Sequence, residues 1–330
     1  MKRLLAITDP GCAASTRYRV RLFENYFLSR GVQLKIIPCP REKNAVAQLL
    51  AAVKQSDVVV IQRVLPRTSL LKKIRQLAPR LVFDFDDVVI RNDSNGGRPH
   101  LKFSRWWRFR YLLRDCDAVT PGNAHLATLA GRYAAARRIF TVPTVVDTDR
   151  YDAELATPEK SAALGWIGSH WTLTYLENLR QPLEKFTARH PEVFVRVISD
   201  YKPDLGRARV ELSSWNEASE VRDLKSLRLG LAPLPDDVWT RGKCGLRLLQ
   251  YLAAGVPAIA APVGTQAEII RQGAVMSAIS NEDWRAALEK VFNEAGFADE
   301  LSAAGKKLVR DQFSLKAWSP RVFEAWISAV

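Results

Sequence analysis

Short apolar runs, each separated from the next by a segment of helical pattern, recur along this chain. They span residues 3–8, 32–37, 57–61, 81–85, 117–120, 139–142, 163–167, 194–198, 229–233 and 258–261. Continuous apolar runs of this length are typical of strands that are buried on both faces of a parallel sheet. Strands that alternate with helices predict an α/β fold. Because 330 residues are enough for two domains, we expect a first domain over residues 1–150, a linker over 151–162 and a second domain extending to residue 314.

Charge is distributed unevenly between the two halves. The whole chain has a formal net charge of +14, and residues 1–150 contain 27 Lys and Arg against 12 Asp and Glu, a net charge of +15. The remaining residues therefore carry a net charge of −1. Such asymmetry predicts a polyanionic partner for the first half, which could be a membrane surface, a phosphorylated lipid or a nucleic acid.

Cysteine usage and hydropathy bear on the compartment. The four cysteines, Cys12, Cys39, Cys116 and Cys244, form no CxxC pair, which argues against a zinc site or a disulfide framework and suits a reducing compartment. The opening residues have too short an apolar run for a signal peptide, and no run approaches the ~20 apolar residues of a membrane span. We expect a cytoplasmic protein whose basic half could attach to the inner face of the membrane.

The stretch from residue 239 to 268 contains a helix, a strand and the start of another helix. An apolar face at helical spacing predicts a helix over 243–254, which ends at Gly255 with Pro257 following it. After the strand at 258–261, Thr265 is predicted to cap a helix over 266–272. Helix N-termini suit phosphates, although any doubly wound sheet contains such a step.

Acidic side chains cluster at the end of the fourth apolar run. Asp84, Asp86 and Asp87 would repel one another unless something offsets their charge. One interpretation is a Mg²⁺ or Mn²⁺ site. The other, which we favour, is ion pairing with arginines, Arg63 and Arg91 among them.

Two further segments of the first half allow alternative interpretations. The loop from Gly11 to Ser15, with Ser15 predicted to cap a helix over 16–29, suits a plain turn and a ligand loop equally well. The segment KFSRWWRFRYLLR, residues 102–114, places aromatic rings among basic side chains. That composition is typical of a helix at a membrane interface, and a helix whose aromatic face packs on the sheet fits at least as well.

Two segments of the second half resemble a known family. GKCGLRLLQYLAAGVPAIAAPVG, from Gly242 to Gly264, resembles the donor-site segment of family-4-type retaining glycosyltransferases, and GWIGSHWT, from Gly165 to Thr172, resembles the opening turn of their donor domain. The resemblance implies the GT-B fold, with two Rossmann-like α/β domains facing across a cleft. It also implies that a last helix, over about 315–330, packs back on the first domain.

The implied activity is metal-independent, retaining transfer of a sugar from a nucleotide-sugar donor to a hydroxyl acceptor, with no cofactor. A glycan or lipid-linked acceptor and an anionic membrane surface would be the further partners.

The resemblance also implies site residues. On the donor side these are Gly168, Ser169, Trp215, Lys243, Arg247, Gln250, Gly264, Thr265 and Glu268. On the acceptor side, Gly11, Ser15 and Arg63 follow predicted strands, where ligands of parallel sheets bind, and the resemblance adds Asp86 and Asp87 as acceptor contacts. Asp86 and Lys243 are the expected catalytic residues, with Lys243 neutralising the diphosphate.

The chain departs from the family pattern at its most specific positions. Gly242 and Gln250 replace the glutamates of the Glu-x7-Glu pair, and Gln250 is expected to accept a hydrogen bond from the donor ribose. These losses motivate an alternative, a catalytically inactive protein of the same fold that binds sugar nucleotides or lipids. Nucleic-acid binding is the less favoured third hypothesis, because the sequence contains no RRM, KH, helix-turn-helix or zinc-finger signature.

Overall fold

A computed structural model describes residues 1–40, 42–91, 101–153, 161–294 and 296–328. Its strands form two parallel sheets. The first contains β1 (Lys2–Thr8), β2 (Val32–Pro38), β3 (Val58–Gln62), β4 (Leu81–Phe85) and β5 (Ala118–Pro121), in the order β2-β1-β3-β4-β5. The second contains β6 (Ala163–Ile167), β7 (Phe194–Ile198), β8 (Val210–Ser213), β9 (Leu229–Ala232), β10 (Ala258–Ala260) and β11 (Met276–Ser277), in the order β11-β10-β9-β6-β7-β8. The predicted parallel α/β class is confirmed.

Helices connect the strands of each sheet. Those of the first half are α1 (Ala13–Arg19), α2 (Glu24–Ser29), α3 (Lys43–Lys54), α4 (Thr68–Leu77), α5 (Phe103–Asp115), α6 (Ala124–Gly131) and α7 (Thr148–Ala153). Those of the second half are α8 (Leu173–Glu177), α9 (Arg180–Arg189), α10 (Glu220–Lys225), α11 (Leu246–Ala253), α12 (Thr265–Ile270), α13 (Asn281–Asn293), α14 (Phe297–Gln312) and α15 (Leu315–Phe323).

The end of the chain packs against the first sheet. After α15 a single π-helical turn, Glu324–Ser328, carries Trp326 into the core formed by β1, β3 and β4, where its ring centroid lies 5.8 Å from that of Phe27. The Arg80 guanidinium donates a hydrogen bond of 2.8 Å to the Trp326 carbonyl. The C-terminal segment thus completes the core of the first domain.

Some predicted elements of the first half are wrong in detail. Residues 139–142 form no strand, because they make a single bridge between Ile139 and Val119 before Pro143, which has no N–H to donate. The helix expected over 16–29 is interrupted by a 3₁₀ turn, Arg21–Phe23. Ser15 lies inside α1 rather than capping it, since its hydroxyl donates a hydrogen bond to Asp86.

Corrections in the second half concern helix starts. The helix predicted over 243–254 begins at Leu246, because residues 240–242 form a 3₁₀ turn and Gly245, with a φ of 71°, occupies the N-cap. Lys243 therefore lies in extended backbone before the helix and does not oppose its dipole. Trp215 lies before α10, which begins at Glu220. The apolar runs did not reveal β8, because it is an edge strand whose residues are mostly half-exposed.

Candidate functional site

The carboxyl ends of the two sheets meet across a cleft. The Lys243 ammonium, in the loop between β9 and α11, lies 3.0 Å from the carboxylate of Asp87, which follows β4. Ligands of parallel α/β sheets bind beyond the carboxyl ends of the strands. This cleft is therefore the candidate site.

On the first domain, a charged cluster faces the cleft. Arg63 pairs with Asp86 at 3.1 Å and with Asp87 at 2.8 Å, which confirms the predicted ion pairing. The Ser15 hydroxyl donates a hydrogen bond of 2.6 Å to Asp86 and accepts one of 2.7 Å from the Gln62 amide. Arg63 has a φ of 62°, a left-handed conformation that costs a non-glycine residue free energy and is found most often at functional sites.

These contacts fix the charge of Asp86. Burial raises the pKa of its carboxyl, but the Arg63 and Arg19 guanidinium groups and the hydrogen bond from Ser15 outweigh burial, so the pKa lies below its ordinary value. Asp86 is consequently ionised at neutral pH. Such a carboxylate can accept a hydrogen bond from an acceptor hydroxyl and orient it, but it is a weak general base.

Beneath this cluster lies an ion pair that the sequence interpretation missed. Arg19 donates two hydrogen bonds to the Asp84 carboxylate, of 2.5 and 3.1 Å, and both side chains are buried. The same guanidinium donates to the carbonyls of Val142 and Thr120, and the Thr120 hydroxyl donates to Asp84. Asp84 is thereby committed to structure, whereas Asp86 and Asp87 face the cleft.

The loop between β9 and α11 is anchored in the first domain. Trp239 and Cys244 belong to the hydrophobic core of that domain, and the Asn123 amide donates hydrogen bonds to the carbonyls of Arg241 and Lys243, at 3.3 and 3.2 Å. The Asn123 side chain also caps α6. This loop is therefore a shared part of both domains.

The same packing explains why glycine stands at position 242. A Cβ there would lie 2.4 Å from Cγ2 of Val88 in the first domain. A glutamate at this position could not fit without displacing the loop. Asp87 supplies a carboxylate to this loop from across the cleft, through its ion pair with Lys243.

Gln250 does not face an open ribose site in this structure. Its amide donates a hydrogen bond of 3.0 Å to the Tyr18 hydroxyl, which donates one of 3.0 Å to Glu220. Arg17 donates two hydrogen bonds of 3.0 Å to the same carboxylate, and the Trp215 indole donates another of 2.9 Å. Two expected donor residues, Gln250 and Trp215, therefore belong to a network between the domains.

Arg247 has surroundings unlike those of the other cleft cations. Its guanidinium lies over the Trp166 ring, 4.4 Å from the centroid, and donates hydrogen bonds to the Ile167 carbonyl and, at 3.2 Å, to the Thr172 hydroxyl. Within the part of the chain that the structure describes, no carboxylate lies within ion-pair distance of it. Burial lowers the pKa of Arg247, as expected for a cation in a site that lacks an anion.

Gly168 leaves room for that guanidinium. A Cβ at this position would lie 2.5 Å from one Arg247 nitrogen and 2.7 Å from the Trp166 ring. The glycine after β6 and the arginine of α11 are thus spatial partners.

The remaining predicted residues are distributed around the cleft. Thr265 is the first residue of α12 rather than its cap, and its buried hydroxyl has no hydrogen-bond partner among the residues that the structure describes. Gly264 has a φ of 55°, and a Cβ there would meet the Arg241 carbonyl at 2.7 Å. Glu268 is exposed in the first turn of α12.

Gly11 and Ser169 are also exposed. The Gly11 amide donates to Asp9 in a turn, and the Ser169 side chain makes no capping hydrogen bond. Among the described residues, no group of three or more His, Cys, Asp or Glu side chains is placed to hold a metal ion.

Comparison with solved structures identifies the architecture. Anabaena Alr3699/HepE in complex with UDP and glucose matches with a TM-score of 0.74 and 11% identity over 98% of this chain and 99% of that one. This chain has the GT-B fold. WaaG, a glycosyltransferase involved in lipopolysaccharide biosynthesis, matches at 0.69 and 15% identity over the whole of both chains. An alpha-glucosyltransferase in complex with UDP and a 13-mer DNA matches at 0.69 and 11% identity over 98% of each.

The chain matches solved structures by fold, but it has no match by sequence. No protein-family model and no curated protein sequence matches the chain.

Helix α5 presents a mixed surface on the first domain. Phe109, Leu112 and Leu113 are buried against the sheet, whereas Phe103 and Trp107 are 71% and 49% exposed. Trp106 is half-buried, and its indole donates a hydrogen bond of 2.9 Å to the Tyr133 hydroxyl. The predicted packing of one face on the sheet is confirmed, and the membrane-interface interpretation stays a prediction, with aromatic rings exposed on another face. Among the described residues, no helix has the length and hydropathy needed to cross a membrane.

Proposed function

We propose that this protein is a glycosyltransferase that moves a sugar from a nucleoside-diphosphate donor to a hydroxyl acceptor. The observation that supports it most directly is the Arg247 guanidinium, which sits at the carboxyl end of β6 without a carboxylate partner among the described residues. A diphosphate would supply the missing anion, and guanidinium groups match phosphate oxygens well. HepE and the alpha-glucosyltransferase that share the fold were both solved with UDP.

The proposed reaction retains the configuration of the anomeric carbon and uses no metal. The bond between the anomeric carbon and the phosphate oxygen breaks, and the nucleoside diphosphate leaves with the electron pair. Arg247 and Lys243 stabilise its charge. The acceptor oxygen bonds to the same face of the carbon, and its proton passes to the departing phosphate oxygen. Asp86, held ionised by Arg63, orients the acceptor hydroxyl.

Arg247→Ala tests the donor site. We expect nucleoside-diphosphate affinity to fall by about 10- to 100-fold, because a charge-assisted contact of this kind contributes roughly 1.5–3 kcal/mol. Titration calorimetry with UDP and UDP-glucose measures the change. Arg228→Ala is the matched control, since Arg228 also stacks on an aromatic ring, that of Phe292 at 4.1 Å, but outside the cleft. Equal affinities in the two variants would contradict the assignment.

A non-catalytic binding protein of the same fold is the second candidate. Gly242, which packs against Val88, and Gln250, which is engaged by Tyr18, leave both positions of the family's glutamate pair without a carboxylate. This candidate predicts donor binding without transfer. Hydrolysis of UDP-glucose or another donor above background, abolished in Lys243→Ala, would decide for the enzyme.

The acceptor is proposed to be a lipid-linked or cell-surface glycan at an anionic membrane. The first half carries a net charge of +15, and the exposed rings of Phe103 and Trp107 lie on α5, where the Arg110 guanidinium is 5.9 Å from the Trp107 ring. Aromatic rings favour the headgroup boundary, and each cation near an anionic bilayer contributes about 1 kcal/mol. A DNA acceptor is disfavoured by the absence of a nucleic-acid-binding signature, although the alpha-glucosyltransferase above was solved with DNA.

Vesicle co-sedimentation tests the membrane proposal. We expect binding that requires anionic phospholipid, weakens as salt rises, and falls several-fold in the double variant Phe103→Ala/Trp107→Ala. Trp106 is left intact because its hydrogen bond to Tyr133 supports the fold. The control is Leu28→Ala/Leu77→Ala, which removes exposed apolar side chains from other helices of the same domain. Equal recovery with zwitterionic and anionic vesicles would refute the proposal, and salt-sensitive binding to oligonucleotides alone would favour a nucleic acid.

A further inference from the structure

Three aromatic rings form a cluster of mutually tilted rings at the carboxyl edge of the second sheet. The His170 ring lies between those of Trp171 and Tyr201, with centroid distances of 4.0 and 4.8 Å. Residues 170–172 form the 3₁₀ turn after β6, and Tyr201 follows the neighbouring strand β7. Two adjacent loops therefore build one aromatic surface.

This surface is open to solvent. Trp171 is 58% and Tyr201 54% exposed. Single exposed apolar side chains need no explanation, but these rings come from separate loops and contact one another, and Trp171 and Tyr201 each remain more than half exposed. A planar ring that stacked there would bury apolar area on both partners.

The ring cluster adjoins the unpaired cation of the cleft. Thr172, the residue after Trp171, accepts the hydrogen bond from Arg247, and a Cβ on Gly168, at the start of the same loop, would meet that guanidinium. On the other side of Arg247, α11 leads back to Lys243 and its partner Asp87. Along the cleft, the pair of Lys243 and Asp87 is thus followed by Arg247, the proposed phosphate-binding cation, and then by the aromatic rings.

We propose that the ring cluster of Trp171, His170 and Tyr201 binds the nucleobase of the donor. The inference rests on the proposed function and extends it to recognition of the base. In a nucleoside-diphosphate sugar whose phosphates contact Arg247, the transferred sugar lies on one side of the phosphates and the base lies on the other. With the sugar directed to Lys243 and Asp86, the base comes to the rings. A pyranose ring of a glycan is the competing occupant, but it has no phosphate for the neighbouring Arg247.

Stacking also predicts the selectivity. Every base has a π-face, so recognition by stacking tolerates different bases, in contrast to hydrogen-bonded readout. We expect UDP, ADP and GDP to bind through the same rings, and each to lose affinity when the rings are removed.

Titration calorimetry with UDP, ADP and inorganic pyrophosphate tests the proposal. Trp171→Ala should weaken UDP and ADP by roughly 5- to 100-fold, as base stacking on an aromatic side chain predicts, and should leave pyrophosphate affinity unchanged. Trp171→Phe should retain most of the nucleotide affinity. Leu28→Ala, which removes an exposed apolar side chain from the first domain, is the control. Tyr201→Ala provides a second variant on a different loop.

The outcomes separate this inference from the proposed function. Wild-type affinity for UDP and ADP in Trp171→Ala and Tyr201→Ala would overturn the assignment of the ring cluster to the nucleobase. It would not contradict the donor site at Arg247. Equal loss for pyrophosphate and nucleotides would show that the rings act only by holding the loop, which also overturns it. Failure of the wild-type protein to bind any of the three ligands would overturn both proposals. A loss of affinity for oligosaccharides instead of nucleotides would assign the surface to a glycan.

Discussion

Replacing Arg19 by methionine is expected to lower the free energy of unfolding by about 3–5 kcal/mol, because the variant leaves the Asp84 carboxylate buried without its cation. Both side chains are almost fully inaccessible, and Arg19 also satisfies the carbonyls of Val142 and Thr120. A methionine of similar length fills most of the space but none of these hydrogen bonds. Urea unfolding followed by tryptophan fluorescence measures the loss.

A second ion pair of the same domain provides the control. Arg75 lies 2.7 Å from Asp117, but both side chains are about one-third exposed. Exposed pairs of this kind contribute ~0–1 kcal/mol, so Arg75→Met should change stability little. The double variant Arg19→Met/Asp84→Asn should recover part of the loss, since it removes the unpaired charge. A cost no larger for Arg19→Met than for Arg75→Met would show that the buried pair does not stabilise the domain.

The strands were the most predictable part of the fold. The runs at 81–85, 163–167 and 194–198 match β4, β6 and β7 at both ends. Both faces of such strands are covered, so the apolar run and the strand have the same bounds. Edge elements follow local rules less closely, and β8, whose residues are mostly half-exposed, has no apolar run to reveal it.

The candidate site was less predictable because its partners are distant in sequence. Arg19 and Asp84 are 65 positions apart, and Gln250 and Tyr18 are 232 apart. Sequence reasoning identified Arg63, Asp86 and Asp87 because each follows a strand, where the chain geometry alone places it at the cleft. It did not identify Glu220, a buried acid that only the docking of the two domains brings against Arg17. Lys243 was expected to be free for a diphosphate, whereas it pairs with a carboxylate of the opposite domain.

Truncating Trp239 is expected to loosen the junction between the domains. Trp239 belongs to the loop between β9 and α11, yet its ring is buried in the core of the first domain, with the Lys243 ammonium 4.7 Å from its centroid. Trp239→Ala should cost roughly 3 kcal/mol or more, as large-to-small core replacements do. It also releases the loop that carries Lys243, so donor affinity should fall with stability.

Hydrogen exchange localises this effect and distinguishes it from general destabilisation. In Trp239→Ala we expect faster amide exchange in residues 240–244 and around Asn123, because the hydrogen bonds of Asn123 to the carbonyls of Arg241 and Lys243 depend on the docked loop. Trp284→Ala is the matched control, since Trp284 is equally buried but lies in α13, within the core of the second domain. That variant should be destabilised without added exchange around Asn123. Trp239→Phe, which keeps an apolar ring in the pocket, should cost less than the alanine variant. If exchange around Asn123 rises equally in Trp284→Ala and Trp239→Ala, the two domains unfold as one unit and the loop is not a separate anchor between them.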